Sequence, residues 1–448
     1  MDVQNQILLY LVDDAAQKLR KKRNASQLVR EFQTLRECVQ RNEPADIGAW
    51  HGVFQHCHVL YGQLGGTLTA DHWQSPAFDA SYANEVGDEQ GKILANINDY
   101  KRDQHPVGIA YEKAYVREYI PRLFGAPTAF ATTSGMAALT VAALVVRQRL
   151  PDTYRIAVGR HSYFENQELL HMMFPDDRIT IFDEASPAAL ADIAPHAIFF
   201  DLLANDPSMT VADVSRIYAF AGKLRHHVDM VIDTTCVSME HFRMPAHAYL
   251  ARNVSLMAYE SLNKFHQFGL DRTTGGILWA HGIPADTIYR VRDHAGVNIS
   301  EAAAATMPSP NKKVHAGYLQ RLATNAAEIA RAISSLPHVR ASYPGLASHA
   351  GFRTAKRIGY TGAFVAIEFP GASYRTYRAV MQSVVREAKK SHVPLLAGST
   401  FGTPVTRVYT WSPRSPFENI FLRISPGLES PEEMVRVIDV LTRVLASV

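Results

Sequence analysis

The sequence predicts an α/β fold: a large domain with a mostly parallel, seven-stranded sheet, a smaller α+β domain toward the C-terminus, and an N-terminal extension. Three observations carry this. From about Tyr111 onward, seven short apolar runs alternate with segments of helical period, and most runs lead into a turn and a helix-like stretch. That is the pattern of a parallel sheet covered by helices. A long helical stretch after Ser300 then leads into a smaller mixed segment. Finally, 448 residues are too many for one simple core.

Residues 1 to about 95 read as helical and irregular. Leu28, Phe32, Leu35 and Val39 recur at helical spacing, and Asn24 with Gln27 offers a capping box before them. The stretch from Gly62 to Gly91 is rich in Gly, Ser, Asp and Asn and is expected to be a long ordered loop or arm. The seven apolar runs are Ala129–Thr132, Ile156–Val158, Ile179–Phe182, Ala197–Phe200, Met230–Ile232, Val254–Met257 and Gly276–Trp279. A long helix is expected over Pro310 to Leu336, ended by Pro337. It is followed by a strand at Ala363–Phe369, a helix near Arg375–Lys390, a strand at Phe421–Ile424 and a last helix from Pro431. The expected division is 1–95 for the extension and arm, 96–305 for the large domain and 306–448 for the small one.

The bulk composition narrows the class. An apolar fraction of 47% and a charged fraction of 20% are those of a soluble globular protein. A net charge of +3 makes no case for nucleic acid and does not hinder an anionic ligand. Cys38, Cys57 and Cys236 cannot form a disulfide framework, which suits a reducing compartment. The apolar run Ile7 to Val12 is followed by Asp13 and Asp14, and its basic cluster comes after it, the wrong order for a signal peptide. No run of eighteen apolar residues exists, so a cytoplasmic protein without a membrane span is expected.

Three segments carry chemistry. In Ala131-Thr132-Thr133-Ser134-Gly135-Met136-Ala137-Ala138 a short strand runs through small residues into a helix. Small residues let the backbone approach an anion, and the first N–H groups of the helix point at it. Alone, such a turn is more often structural. Val231-Ile232-Asp233 ends a buried strand with a carboxylate at the sheet edge, where open α/β folds bind ligands. Alone, such an Asp is more often a helix cap. Ser261-Leu262-Asn263-Lys264 follows the strand Val254–Met257, with Asp271 and Gly275-Gly276 beyond it. A lysine amine of lowered pKa forms an imine with an aldehyde, and Ser261 can donate to a phosphate. Alone, Lys264 reads as a surface lysine. Taken together and in this order, the three point to pyridoxal 5′-phosphate (PLP). That cofactor needs a phosphate site, a lysine for its Schiff base and a carboxylate that keeps its pyridine nitrogen protonated.

At these residues the chain resembles the fold-type-I enzymes of the Cys/Met-metabolism PLP-dependent family, which includes cystathionine γ-synthase, cystathionine lyases and methionine γ-lyase. Further matches extend the resemblance over about residues 95 to 435. Tyr100-Lys101-Arg102 with Pro106 resembles an element whose Tyr and Arg reach the phosphate of the neighbouring subunit. Ser134, Gly135 and Met136 match the phosphate turn, and Tyr163 stands where an aromatic ring stacks on the cofactor. Asp201 and Asn205, before Pro207, resemble the Glu…Asn-Pro element, with Asn205 near the phenolic oxygen. Leu422-Arg423-Ile424-Ser425-Pro426-Gly427 is similar to the strand whose arginine grips the substrate carboxylate, a job that suits a planar guanidinium. Thr400 lies in Gly398–Gly402, roughly where a Ser-Leu-Gly substrate loop is expected. The departures are Asn263 where Thr is usual, Thr234 where Asn is common, and one extra residue between Asp271 and Gly275-Gly276.

The resemblance implies γ- or β-elimination or replacement on methionine, S-adenosylmethionine, cystathionine or an activated homoserine. Lys264 is the implied general base, Asp233 supports the ring, and a homodimer or homotetramer shares its sites between subunits. The long extension and the departures point toward a specialised-metabolism member that forms a C–C bond. An aminotransferase would use the same Lys, Asp and Arg, and a non-catalytic PLP-fold protein is the other rival. His51, His56, Cys57 and His58 match no standard zinc spacing, so no metal is expected. His226-His227 reads as a helix-end pair, and Cys236 as a buried small residue. Gly87…Gly91-Lys92 lacks the spacing and the Ser/Thr of a phosphate loop.

Overall fold

The structure is a computed structural model that describes residues 2–20, 22, 25–41, 47–69, 104–120, 127–242, 251–411 and 419–448. Tyr100, Arg102 and Asn24 lie outside the described residues, as does the stretch from 70 to 103. The chain forms two compact units: residues 1–145 with 261–314, and residues 146–260 with 315–448.

The large sheet has the seven expected strands: β1 (Thr128–Thr132), β2 (Ile156–Gly159), β3 (Ile179–Phe182), β4 (Ala197–Asp201), β5 (Val228–Asp233), β6 (Val254–Ser261) and β7 (Gly276–His281). In the second unit the spatial order β6-β5-β4-β2-β3 is parallel throughout. In the first unit β1 and β7 run antiparallel, with Thr132 opposite Gly276. Strands β4 and β5 are buried almost without a break, as parallel strands covered on both faces must be.

The second unit also carries a sheet of five strands: β8 (Arg340–Ser342), β9 (Val365–Glu368), β10 (Leu396–Ala397), β11 (Arg407–Thr410) and β12 (Leu422–Ser425), in the order β10-β11-β12-β9-β8. The long helix spans Lys312–Ile333, the next one Tyr374–Lys390 and the last Pro431–Leu445, each within a few residues of expectation. Ser430 and Glu433 form a capping box at the start of the last helix, and Pro431 fills its first turn without losing a hydrogen bond.

The first unit begins with three helices, α1 (Val3–Leu19), α2 (Ser26–Arg41) and α3 (Ile47–Thr69). Leu28, Phe32, Leu35 and Val39 are the buried stripe of α2, and Tyr61 Oη donates to the carbonyl of Leu11 at 2.8 Å. One expectation is corrected here: Gly62 to Thr69 is the end of a helix, not loop. Close packing overrides the poor helix propensity of glycine at this point. A Cβ at Gly65 would sit 2.2 Å from Thr306 Oγ1 and 2.7 Å from the carbonyl of Ala302. Cys57 faces the core of this unit, and burial pushes its thiol up to about 12. No helix among the described residues is long and apolar enough to cross a membrane.

Candidate active site

In the first unit β1 ends at Thr132 and the helix Gly135–Arg149 starts three residues later. Ser134 caps that helix: its Oγ accepts from the N–H of Ala137 at 3.1 Å and its carbonyl from that of Ala138 at 3.0 Å. The N–H groups of Gly135 and Met136 are first-turn donors with no acceptor in their own helix, an arrangement that suits an anion. Gly135 is glycine because Ser261 lies against it, and an added Cβ would meet Ser261 Cβ at 2.9 Å. Gly276 is tighter still, with an added Cβ 2.1 Å from the carbonyl oxygen of Ser134. The cradle is thus a backbone surface with its side chains removed, which is the fit a phosphate requires.

The loop that follows β6 carries Lys264, half-buried between the buried side chains of Leu262 and Phe265. Asn263, a departure from the family pattern, shapes the base of this loop, where its Oδ1 accepts from the N–H of Gly275 at 2.9 Å. The N–H of Leu262 donates to the carbonyl of Gly275 at 2.9 Å, closing the same neck. Inside the loop, Gln267 Oε1 accepts from the N–H groups of Arg272 (2.8 Å) and Thr273 (3.2 Å). Its Nε2 donates to the carbonyls of Thr273 (2.8 Å) and Leu262 (3.4 Å). Phe268 and Asp271 take left-handed backbone angles, φ 51° and 47°, which the clasp holds in place.

In the second unit two carboxylates end adjacent strands. Asp201 and Asp233 are register partners on β4 and β5, and Tyr259 on β6 is the next partner of Asp233. Asn166 stands over the pair, its Nδ2 3.3 Å from Asp201 Oδ1 and 3.1 Å from Asp233 Oδ2. Asp201 also accepts from the N–H of Tyr163 at 2.9 Å. Asp233 accepts from the N–H of Thr235 at 2.8 Å and from the side chains of Thr235 and Tyr259. Burial pushes both acids upward, and the charge of Asp233 raises Asp201 further, well above the usual carboxylate range. Like charges this close do not both ionise. Asp201, pushed up the more strongly, is held toward its neutral form. A buried carboxylate at the sheet edge fits a protonated pyridine nitrogen.

Arg423 lies on β12 and is 1% exposed. Its Nη1 donates to Asn205 Oδ1 at 2.9 Å and its Nη2 to the carbonyl of Ser399. Its Nε is buried without a partner, and no carboxylate pairs with it among the described residues. The rings of Phe364, Phe401 and Trp411 face its Cζ at 5.4–5.6 Å. Burial draws its pKa down to about 10, so it is still a cation at neutral pH. Within the expected substrate loop, its contact is the carbonyl of Ser399; Thr400 is half-buried one residue on.

The second unit therefore gathers Tyr163, Asp201, Asn205, Asp233 and Arg423, and the first unit gathers Ser134, Gly135, Met136, Ser261 and Lys264. Sequence reading missed Asn166, Tyr259 and Trp411. Asn166 is buried on the helix that begins just after Tyr163, and no local signal in the sequence marks it. Cys236 is buried and close enough to Arg423 to bear on its charge.

Comparison with known proteins agrees with this geometry. The chain is 19% identical to cystathionine gamma synthase from Xanthomonas oryzae pv. oryzae, with a TM-score of 0.63 over 84% of this chain and 100% of that one. It is 21% identical to a methionine gamma lyase from Micromonospora echinospora, with a TM-score of 0.60 over 78% and 88%. A putative O-acetylhomoserine (thiol)-lyase from Campylobacter jejuni, solved with a pyridoxyl-lysine monophosphate, is 18% identical, with a TM-score of 0.61 over 84% and 93%. These likenesses are of fold. A curated relative, the bifunctional enzyme flvA of Aspergillus flavus, is 23% identical over 330 residues; the match covers 68% of this chain and 38% of that protein's length. The family model described as Cys/Met metabolism PLP-dependent enzyme matches residues 70–387. With a backbone anion cradle beside a loop lysine in one unit and a buried acid at a strand end in the other, the chain belongs to that family of PLP-dependent enzymes.

Proposed function

We propose that the chain catalyses γ- (or β-) elimination or replacement on an amino acid such as methionine, S-adenosylmethionine, cystathionine or an activated homoserine. The observation that carries this is Arg423, a buried guanidinium with an unpaired Nε and no acidic partner among the described residues. A buried cation is stable when an anion pairs with it, and an α-carboxylate has the matching planar, bidentate shape.

Bound PLP supplies an aldehyde that holds the substrate amine and a ring that takes up electrons released at Cα. The residues do the rest. In this reading Lys264 holds the cofactor and, once displaced, moves protons at Cα and Cβ. The N–H groups of Gly135 and Met136, with the hydroxyls of Ser134 and Ser261, hold the phosphate. Asp233 keeps the ring nitrogen charged, Tyr163 covers the ring, and Asn205 and Thr400 lie at the substrate end. The family resemblance assigns Tyr100 and Arg102 to the phosphate of a second copy, and with it a homodimer or homotetramer. The finer reading is replacement by a carbon nucleophile, which forms a C–C bond.

The test is an absorbance scan of the PLP-loaded protein against a panel of these amino acids, with products identified by mass spectrometry. Release of the γ- or β-substituent is the expected result. Conversion of the cofactor to its amine form by an amino acid alone would make the enzyme an aminotransferase instead.

A further inference from the structure

We propose that the cavity bounded by Tyr163, Phe164, Trp411 and Phe421 receives a small protic nucleophile, and that His161, oriented by Asp206, removes the nucleophile's proton. This rests on the replacement chemistry proposed above and names the residue that would activate its second reactant.

The cavity lies wholly within the second unit and measures about 30 Å³, room for the acidic end of a small molecule. Tyr163, Phe164, Trp411 and Phe421 give it apolar walls, and His161, Asn205 and Asp206 give it a polar end. The indole Nε1 of Trp411, one of the lining residues, is buried without a partner among the described residues. Trp411 also faces Arg423, with the guanidinium carbon 5.5 Å from its ring, so the cavity adjoins the proposed carboxylate grip.

His161 and Asp206 have the geometry of a base and its orienter. His161 Nδ1 is 2.7 Å from Asp206 Oδ2. Ser208 Oγ also lies 3.3 Å from Nδ1. With the ring proton on Nδ1, facing the Asp206 carboxylate, Nε2 is the basic nitrogen, with no partner among the described residues. The two oxygens of Asp206 divide the work. Oδ1 shapes the turn, accepting from the N–H groups of Ser208 and Met209 and from Ser208 Oγ. Oδ2 is left to the imidazole. A purely structural Asp would need the first oxygen alone. The ring is partly open to solvent, 23% exposed, so a proton can leave it.

The charged groups facing His161 are Asp206, Glu184 and Asp183; Glu184 Oε1 accepts from its N–H at 2.8 Å. Burial lowers the imidazole pKa, but the hydrogen bond and charge of Asp206 outweigh it and the net shift is upward. A base titrating near the working pH is the efficient one. In the step itself, the electron pair of the H–nucleophile bond becomes the new bond to the amino-acid side-chain carbon, and the proton passes to Nε2 and on to solvent. The group displaced from that carbon leaves with its bonding pair and takes up a proton. Atoms and charge balance without a further reactant.

The experiment uses the PLP-loaded protein, a donor amino acid that changes its visible absorbance, and either 2-mercaptoethanol or acetylacetone as probe nucleophile. His161→Gln should shift the ratio of replacement to elimination product about 100-fold toward elimination, the contribution of a positioned base. Asp206→Asn, which can keep the turn through its amide oxygen, should move the acid limb of the replacement rate to lower pH and lower the His161 titration seen by NMR. A product ratio within about threefold of the original, with an unmoved acid limb in Asp206→Asn, would overturn the proposal. Absence of any donor response in the unaltered protein would instead overturn the reaction class. In that case the cavity is judged by whether either probe perturbs the His161 resonance, and no perturbation counts against it.

Discussion

The two sets of candidate residues, one in each unit, solve opposite problems. In the first unit, the cradle around Gly135 is made of backbone with its side chains stripped away, and its donors are spare N–H groups of a helix that exists for other reasons. In the second, Asp201, Asp233 and Arg423 are charges or potential charges driven into the protein interior. A backbone cradle is stable whether or not an anion is present. Buried ionisable groups are tolerated only through neighbours such as Asn166 and Tyr259, or through a ligand. Substitutions should therefore fail in different ways in the two units.

The largest effect is expected at the covalent link. Lys264→Ala should lower turnover by about 1,000-fold or more and leave no borohydride-reduced adduct at that position by mass spectrometry. Arg423→Met sharpens the contrast. Removing an unpaired buried charge should leave the unliganded protein as stable or more so, by up to about 4 kcal/mol in urea titration. Loss of the carboxylate grip should lower kcat/KM by about 100- to 1,000-fold. Gly276→Ala tests the opposite case, with the new Cβ driven against the carbonyl of Ser134 at 2.1 Å. It should destabilise the fold by about 1–3 kcal/mol in the same titration and weaken PLP binding.

The smallest effect concerns Asp201. Its folded-state pKa is raised, so its stabilisation is complete below the ordinary carboxylate pKa and is lost as pH rises through the raised one. Asp201→Asn should remove that dependence, and its urea midpoint should fall less than that of the unaltered protein between acid and neutral pH. An equal fall in both would show that Asp201 is not the proton holder.

Much of the fold was legible because its signals are local. All seven strands of the large sheet announce themselves as apolar runs, and Pro431 after Ser430 marks a helix start by its chemistry. The short strand Arg407–Thr410 escaped notice because its burial alternates and its residues mix charge with apolar groups. Asp233 and Arg423 were legible through the residues beside them. Asn166 was not, because its partners lie 35 and 67 residues away and only the register of β4 with β5 brings them under it. The buried pair Glu112 and Arg292, 180 residues apart, is the same case inside the first unit: Glu112 also accepts from the N–H of Ala131 at 2.8 Å, pinning β1. Asp206 needed only its neighbours read again, since it stands between Asn205 and Pro207.

Gln267 carries a consequence of another kind. One amide, 1% exposed, accepts two hydrogen bonds and donates two, and so holds the shape of the loop that presents Lys264. Glutamate has the same volume and the opposite polarity at one end, and there it would turn two attractions into oxygen facing oxygen. The loop's conformation is thus written in the direction of its hydrogen bonds and not in its bulk, and slow chemical ageing of that single amide would misplace the reactive amine without breaking the chain.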